Sequence, residues 1–222
     1  MNLSWSFTLQ ILPQLLSGMV VTIEATFVGM ALALVIGLVL VLGRRSRYRM
    51  VAGPVRFVIE FIRSTPLLVQ LYFIFFVFPD IGIRLGPFLA GVIALGLHYG
   101  CYISEVYRSG IDNIPKGQWE AAISLDLTKI QTYRDIILPQ AVPPILPLVG
   151  NYLISMFKDT PLLSAITVLE MLERAKMIGS ESFHYFEPLT IVGILFLVLS
   201  VLSSIGVRKL EKLLPKGGFP LK

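Results

Sequence analysis

Four consecutive residues, Lys158-Asp159-Thr160-Pro161, interrupt an otherwise apolar stretch. Ala141 to Phe157 before them is uncharged, and Leu162 to Leu169 after them is again mostly apolar. Ionised groups in such a segment are costly unless they are paired or face a cavity. Pro161 lacks an N–H and clashes with the preceding turn, so a helix kinks or stops there. Broken helices with free backbone groups near the membrane midplane are where solute sites are built. On a regular helix Lys158 and Asp159 point about 100° apart. They can therefore address two ends of a zwitterion, with Asp159 near its cationic end, Lys158 near its carboxylate and Thr160 beside them. The competing reading is a helix end whose charges only hold the outer interface. Gln70 and Asn151 extend the candidate path. An unpaired amide in hydrocarbon is expensive, so Gln70 faces protein or a cavity. Pairing with another helix and contact with a solute both stay open for it. Asn151 is the parallel case, two turns before Lys158.

A second stretch has a different use. Gly117-Gln118-Trp119-Glu120-Ala121-Ala122-Ile123-Ser124-Leu125-Asp126-Leu127 is polar at both ends and lies between two very apolar regions. On a helix, Gln118, Ala121, Ala122 and Leu125 share a face at i, i+3, i+4 and i+7. That face is small and mildly apolar, and it lets another protein's surface come close. Gly117, Glu120 and Asp126 complete the candidate contact. The plain alternative is a surface helix with ordinary alanines.

Composition limits what else the chain does. It has 222 residues, of which 55% are apolar and 15% charged, with a mean hydropathy of +0.77. Soluble domains carry roughly 25% charged residues, so the class is integral membrane and the length fits one domain, 1–222. The net charge of +5 belongs to inside loops rather than to nucleic-acid binding. The lone Cys101 excludes an internal disulfide and a cysteine-built metal site. His98 has no second ligand at helical spacing, so it is expected to pack in the core, and no metal site is expected. No catalytic constellation is visible. No Gly-x-x-x-x-Gly-Lys-Ser/Thr sequence occurs, so ATP is not bound here through a P-loop. Energy has to come from a partner.

The elements that must position these residues follow from the hydropathy pattern. Residues 1–16, with Trp5 and Pro13, read as an interfacial segment. The first span is Met19–Leu42, with Glu24 near its start, followed by the basic turn Arg44-Arg45-Ser46-Arg47-Tyr48-Arg49. Residues 51–63 read as an amphipathic entry with Arg56, Glu60 and Arg63 on one face, and Ser64–Pro79 completes the crossing. A turn at Pro79-Asp80 and Gly82 leads to a third span, Leu85–Glu105, with a Glu105–Arg108 ion pair at its end. The loop 108–139 follows, with a short helix from Thr128. A fourth span starts at Ala141 and breaks at Lys158–Pro161. After a mixed polar segment, 170–187, the fifth span is Leu189–Val207, ending at Arg208-Lys209 with Lys212, Lys216 and Lys222 beyond. The first basic residue is Arg44, so no basic signal-peptide n-region precedes the first span. The positive-inside rule places the N-terminus outside, the C-terminus inside and the 108–139 loop in the cytoplasm. The fold class is therefore all-α integral membrane, with about five transmembrane helices.

The Glu120-Ala121-Ala122 block followed by Leu138-Pro139 resembles the cytoplasmic coupling loop of ABC importer permeases. With Tyr102–Ile111 upstream and Ile136–Ala141 downstream, the pattern is similar to the polar amino acid subfamily. Arg63-Ser64-Thr65-Pro66-Leu67-Leu68-Val69-Gln70 resembles that family's second-span signature. Lys158-Asp159-Thr160 resembles its Lys-Asp-Thr-Ser-Leu element, with Pro161 in place of Ser. Asp126 stands where the motif has Gly, a residue that suits a left-handed cap. The resemblance covers about Gly18 to Arg208. Pro79–Leu85 and Asp159–Glu170 look, more narrowly, like permeases for ectoine and hydroxyectoine. The resemblance implies the type I ABC importer permease fold with a cytoplasmic coupling helix, in a bacterial inner membrane. It implies a non-catalytic transport subunit without its own cofactor. ATP and Mg are then held by a separate ATPase subunit. An identical or homologous second permease and an extracytoplasmic solute-binding protein complete the assembly. The competing class is a stand-alone secondary transporter half or a membrane scaffold. A secondary carrier shows inverted repeats and midplane acids on several helices, and neither is evident here.

Overall fold

The structure is a computed structural model and describes residues 4–213. Helix α1 is Trp5–Arg44, capped by Ser4, whose hydroxyl accepts from the Phe7 N–H at 3.4 Å. At 1.5 Å per residue, its 40 residues reach about 60 Å, roughly twice a bilayer's hydrocarbon thickness. This corrects the expectation of a separate interfacial segment before a span beginning at Met19. Pro13 sits inside the helix without ending it. The buried positions Ile11, Leu15, Gly18 and Thr22 continue the stripe formed lower down by Ala25, Gly29 and Ala33. That upper stripe is covered by α8, Met171–Ser182, and by the start of α9, Phe186–Leu213. Ile11, Leu15, Met171, Ala175, Ile178 and Val192 form this second core.

The turn after α1 leads into α2, Arg49–Arg63, which buries only Ile59. α3, Leu67–Tyr72, continues as a π segment, Phe73–Val77, and a 3-10 turn, Phe78–Ile81. This run makes a 108° bend with α2, and Gly82 closes it at φ +87°. The expected amphipathic entry and its crossing are thus two helices at a sharp angle. α4 is Pro87–Asp112, one turn or more longer than expected, and its C-terminal end is held by ion pairs. α5 is Lys116–Ser124 and α6 is Lys129–Gln131. Thr128 and Gln131 start α6 with a reciprocal capping box, and a π segment, Thr132–Ile137, joins it to α7, Leu138–Asp159. α7 contains Pro143, Pro144 and Pro147. A 3-10 turn, Thr160–Ile166, follows at the predicted break. The mixed polar segment contains α8, and α9 contains the whole fifth span. Among the described residues, four helices, or five with the bent pair, are long and apolar enough to cross a membrane. Lys216 and Lys222 lie outside the described residues.

α1 and α4 pack most intimately, and small residues allow it. A Cβ on Gly37 would meet Ile103 Cγ2 at 2.9 Å and the Gly100 carbonyl at 3.1 Å, and one on Gly100 would meet Ile36 at 2.7 Å. Gly29 lies in the same way against Leu95, and Gly96 against Leu32. This is small-xxx-small packing, in which backbone approach replaces the missing hydrophobic drive between helices in lipid. Leu71, Leu95, Ile103, Met156, Leu163 and Ile166 fill the main core around it.

Candidate functional site

α5 is the predicted contact helix, and its faces divide differently from the prediction. Ala122 is fully buried inside the chain, where α5 packs on the Thr132–Ile137 segment. Gln118 also turns inward, and its side-chain oxygen accepts from Gln140 Nε2 at 3.2 Å. Trp119 meets Tyr133 edge-on at 5.4 Å. Ala122 is therefore corrected from a docking residue to an anchor of the loop on its own bundle. Gly117, Glu120, Ala121, Leu125 and Asp126 are exposed. Ile123, Leu125 and Ile130 leave 73%, 69% and 77% of their surface uncovered, an apolar patch on a polar loop. Asp126 has φ +52°. Its N–H reaches the Ile123 carbonyl at 3.0 Å, and that of Leu127 reaches the Ala122 carbonyl at 3.1 Å. Those two bonds define a Schellman cap, so Asp takes the left-handed position that glycine fills more easily.

At the same end of the bundle, the predicted Glu105–Arg108 pair, 3.0 Å, is part of a longer chain. Glu105 also binds Arg44 of α1, while Asp112 binds Arg108 at 2.9 Å and Arg45 of the following turn. Two carboxylates on α4 thus clamp the end of α1.

Lys158 and Asp159, the last two residues of α7, point different ways, as adjacent helical positions require. Asp159 turns inward, and the Tyr99 hydroxyl donates to its Oδ2 at 2.6 Å. Lys158 is exposed and shares a face with Ser155 and Asn151, spaced i, i+4 and i+7. Thr160 is buried, and its hydroxyl donates to the Phe157 carbonyl at 2.7 Å. Gln70 is also committed. Its amide donates toward the Ile62 carbonyl at 2.7 Å and the Thr65 carbonyl at 3.0 Å, and its oxygen faces His98 Nδ1 at 3.2 Å. Thr160 and Gln70 are therefore corrected from solute contacts to structural ties. Gln70 ties to carbonyls where α2 ends, and Thr160 to one near the end of α7. His98 is packed, as expected.

Sequence reasoning missed the aromatic cluster beside Asp159. Tyr99 and Tyr152 lie 6.0 Å apart by ring centres, Tyr102 and Tyr152 5.8 Å, and His98 and Tyr102 5.1 Å. The Arg63 guanidinium lies 5.1 Å over the Tyr102 ring, and its Nε is buried without a partner. The only sequence signal was the recurrence of Tyr99 and Tyr102 near a helix pitch apart. Beyond the 3-10 turn, Thr167 adopts φ +61°, an unusual conformation for a β-branched residue. Glu170 then caps α8, accepting from the Leu172 N–H at 2.9 Å and the Glu173 N–H at 2.8 Å. Burial pushes its carboxyl up to about 7. Among the described residues no group of His, Cys, Asp and Glu is arranged to hold a metal ion.

Comparison with known proteins agrees with this architecture. Residues 33–214 match the family described as binding-protein-dependent transport system inner membrane component. The chain is 48% identical, over 98% of its length and 94% of the relative's, to a probable amino-acid ABC transporter permease protein of Sinorhizobium fredii. It is 34% identical, over 96% of its length and 97% of the relative's, to an arginine transport system permease protein of Bacillus subtilis. In a crystal structure of an amino acid ABC transporter with histidines, one chain superposes with a TM-score of 0.90 at 32% identity, covering 96% of this chain and 99% of that one. A chain of the inward-facing methionine ABC transporter MetNI shares the fold, with a TM-score of 0.72 at 19% identity over 96% of this chain and all of that one. With its bent helix pair and the short helix α5 on the loop between α4 and α7, the chain belongs to the binding-protein-dependent transport system inner membrane components, as a multi-pass permease subunit of the amino-acid ABC importer type.

Proposed function

We propose that this permease carries a zwitterion with an amino or other cationic end, and that Asp159 receives that end. The observation that carries the reading is the placement of Asp159: a carboxylate at a helix break, held by the Tyr99 hydroxyl and bordered by tyrosine rings. A carboxylate attracts an ammonium directly, and aromatic faces add cation–π attraction. The solute's carboxylate then turns toward Lys158, which lies exposed on the polar Asn151–Ser155 face. Lipid is a poor neighbour for that face, so it lines the solute path. Relatives named for glutamine and arginine transport support an amino acid as solute. Ectoine and hydroxyectoine, cyclic amino acid derivatives, are the narrower candidates from the sequence.

In this reading the N-terminus is outside and α5 faces the cytoplasm. The exposed Gly117, Glu120, Ala121, Leu125 and Asp126 dock on an ATPase subunit, which binds ATP and Mg. A second permease, identical or homologous, closes the path, and an extracytoplasmic binding protein delivers the solute. ATP binding and hydrolysis shift the pair between outward and inward states by favouring one of them.

The test is Asp159→Asn, which keeps size and hydrogen bonding and removes charge. Uptake and solute-stimulated ATP hydrolysis, normalised to folded complex, should fall sharply. The ranking of cationic amino acids, zwitterionic amino acids and ectoine as competitors should change. An unchanged rate with an unchanged ranking refutes the site.

A further inference from the structure

α2 carries three stripes rather than two. Ala52, Val55, Ile59 and Ile62 turn toward the bundle. Arg49, Arg56, Glu60 and Arg63 form a polar edge. Between them on the outer side lies an apolar face with no partner among the described residues: Met50, Val51, Phe57, Val58 and Phe61 are all exposed, Met50 to 90%. Phe57 and Phe61 stack at 6.1 Å. We propose that this outer face and the turn before it form an interfacial site for the headgroups of anionic phospholipids.

Charge selects the occupant. At this end of the bundle, the arginines on or facing α4 are neutralised: Arg44 and Arg108 by Glu105, Arg45 by Asp112. The outward ones are not. Among the described residues, Arg47, Arg49 and Arg56 take part in no ion pair, and all three are exposed. The phosphodiester of a lipid is the anion that sits at this depth. Apolar rings beside free cations are the signature of a helix lying in the headgroup boundary. The 108° bend to the Leu67–Ile81 run lays α2 close to the membrane plane when that run stands upright. The elements on either side of α2 also carry exposed apolar residues, Val39 and Leu42 of α1 and Val69 and Phe73 beyond the bend. Tyr48, also exposed, adds an aromatic ring at the boundary.

The experiment uses the permease assembled with its ATPase in nanodiscs of phosphatidylcholine and phosphatidylglycerol. Association of spin-labelled analogues of each lipid is measured for wild type, for the triple variant Arg47→Gln, Arg49→Gln, Arg56→Gln, and for Lys129→Gln as a distant exposed control. Wild type should prefer phosphatidylglycerol. Each arginine removed should lower that preference about five-fold, high salt should weaken it, and the control should match wild type. Equal preference in wild type and triple variant overturns the proposal. A second measurement attaches a fluorophore at Phe57→Cys, where the native ring is exposed. Quenching by brominated acyl chains, with or without the ATPase, supports the lipid as occupant. Shielding from the bromines by the ATPase or by a second permease assigns the face to that protein and overturns it.

Discussion

Two adjacent alanines should respond to substitution in opposite ways. Ala122 has no exposed surface, and Ala121 beside it is open to solvent. Leucine at 122 must place extra carbons between α5 and the Thr132–Ile137 segment. Overpacking of this kind costs about 1–3 kcal/mol. For a chain of this size each kcal/mol lowers the melting temperature by about 2–4 °C, so Ala122→Leu should melt roughly 2–12 °C below wild type as the isolated, detergent-purified permease. Ala121→Arg leaves that packing untouched and should change stability by no more than about 0.5 kcal/mol. Its effect appears on assembly. If Ala121 faces the ATPase, the same 1–3 kcal/mol of misfit weakens association about 5- to 150-fold, before any charge repulsion. Thermal unfolding of the permease alone and titration with purified ATPase separate the two outcomes. If Ala122→Leu melts like wild type and Ala121→Arg binds the ATPase normally, the assignment of inner and outer faces is wrong.

Glu170 predicts a pH dependence. Burial raises its carboxyl to about 7, so the folded chain keeps a proton that the unfolded chain loses nearer 4.5. Stability from this group is full below the lower value and is lost as pH rises through about 7. Glu170→Gln should therefore be more stable than wild type at pH 8, by at most about 3 kcal/mol, with the gap in chemical unfolding closing toward pH 5. A gap independent of pH refutes the reading. In the ion chain, Glu105→Gln leaves the largely covered Arg44 without its carboxylate and should destabilise by about 1–3 kcal/mol. Asp112→Asn, at a more exposed pair, should stay under about 1 kcal/mol, and chemical unfolding of both variants checks the order. Lys116, exposed on the α5 loop, should react with membrane-impermeant amine reagents only in inverted vesicles. Labelling it in intact cells overturns the orientation.

Much of the fold was legible because lipid allows few solutions. Long apolar runs had to be helices, and at Lys158–Pro161 the expected break is only a change from α-helix to 3-10 helix after Asp159, within one continuous helical run. The amphipathic character of α2 was also plain in the placement of Arg56, Glu60 and Arg63. Less visible was anything decided by a neighbour in space. Residues before Met19 looked interfacial because their polarity is mixed, yet α8 covers Ile11 and Leu15. Gln118, Ala121, Ala122 and Leu125 share a nominal face, but a short helix on a loop is divided by what lies beneath it. The polar side chains Gln70 and Thr160 looked available until their backbone partners were in view. Tyr152 joins Tyr99 and Tyr102 only because α4 and α7 cross there.

The interlocked α1–α4 pair also constrains how the subunit moves. Side chains seated in glycine notches resist sliding, and the arginine–carboxylate clamp at one end resists splaying. Together the two helices act as a stiff mast, a fixed reference against which the rest of the subunit swings. Compliance must then reside elsewhere. α7 has a place to flex, since Pro143, Pro144 and Pro147 offer no N–H to the carbonyls a turn before them. Its flexing would carry Asp159 and Lys158 through an arc while Tyr99 and Tyr102 on the mast stay in place, so a solute held as proposed above would be released by geometry alone, without any residue changing its charge.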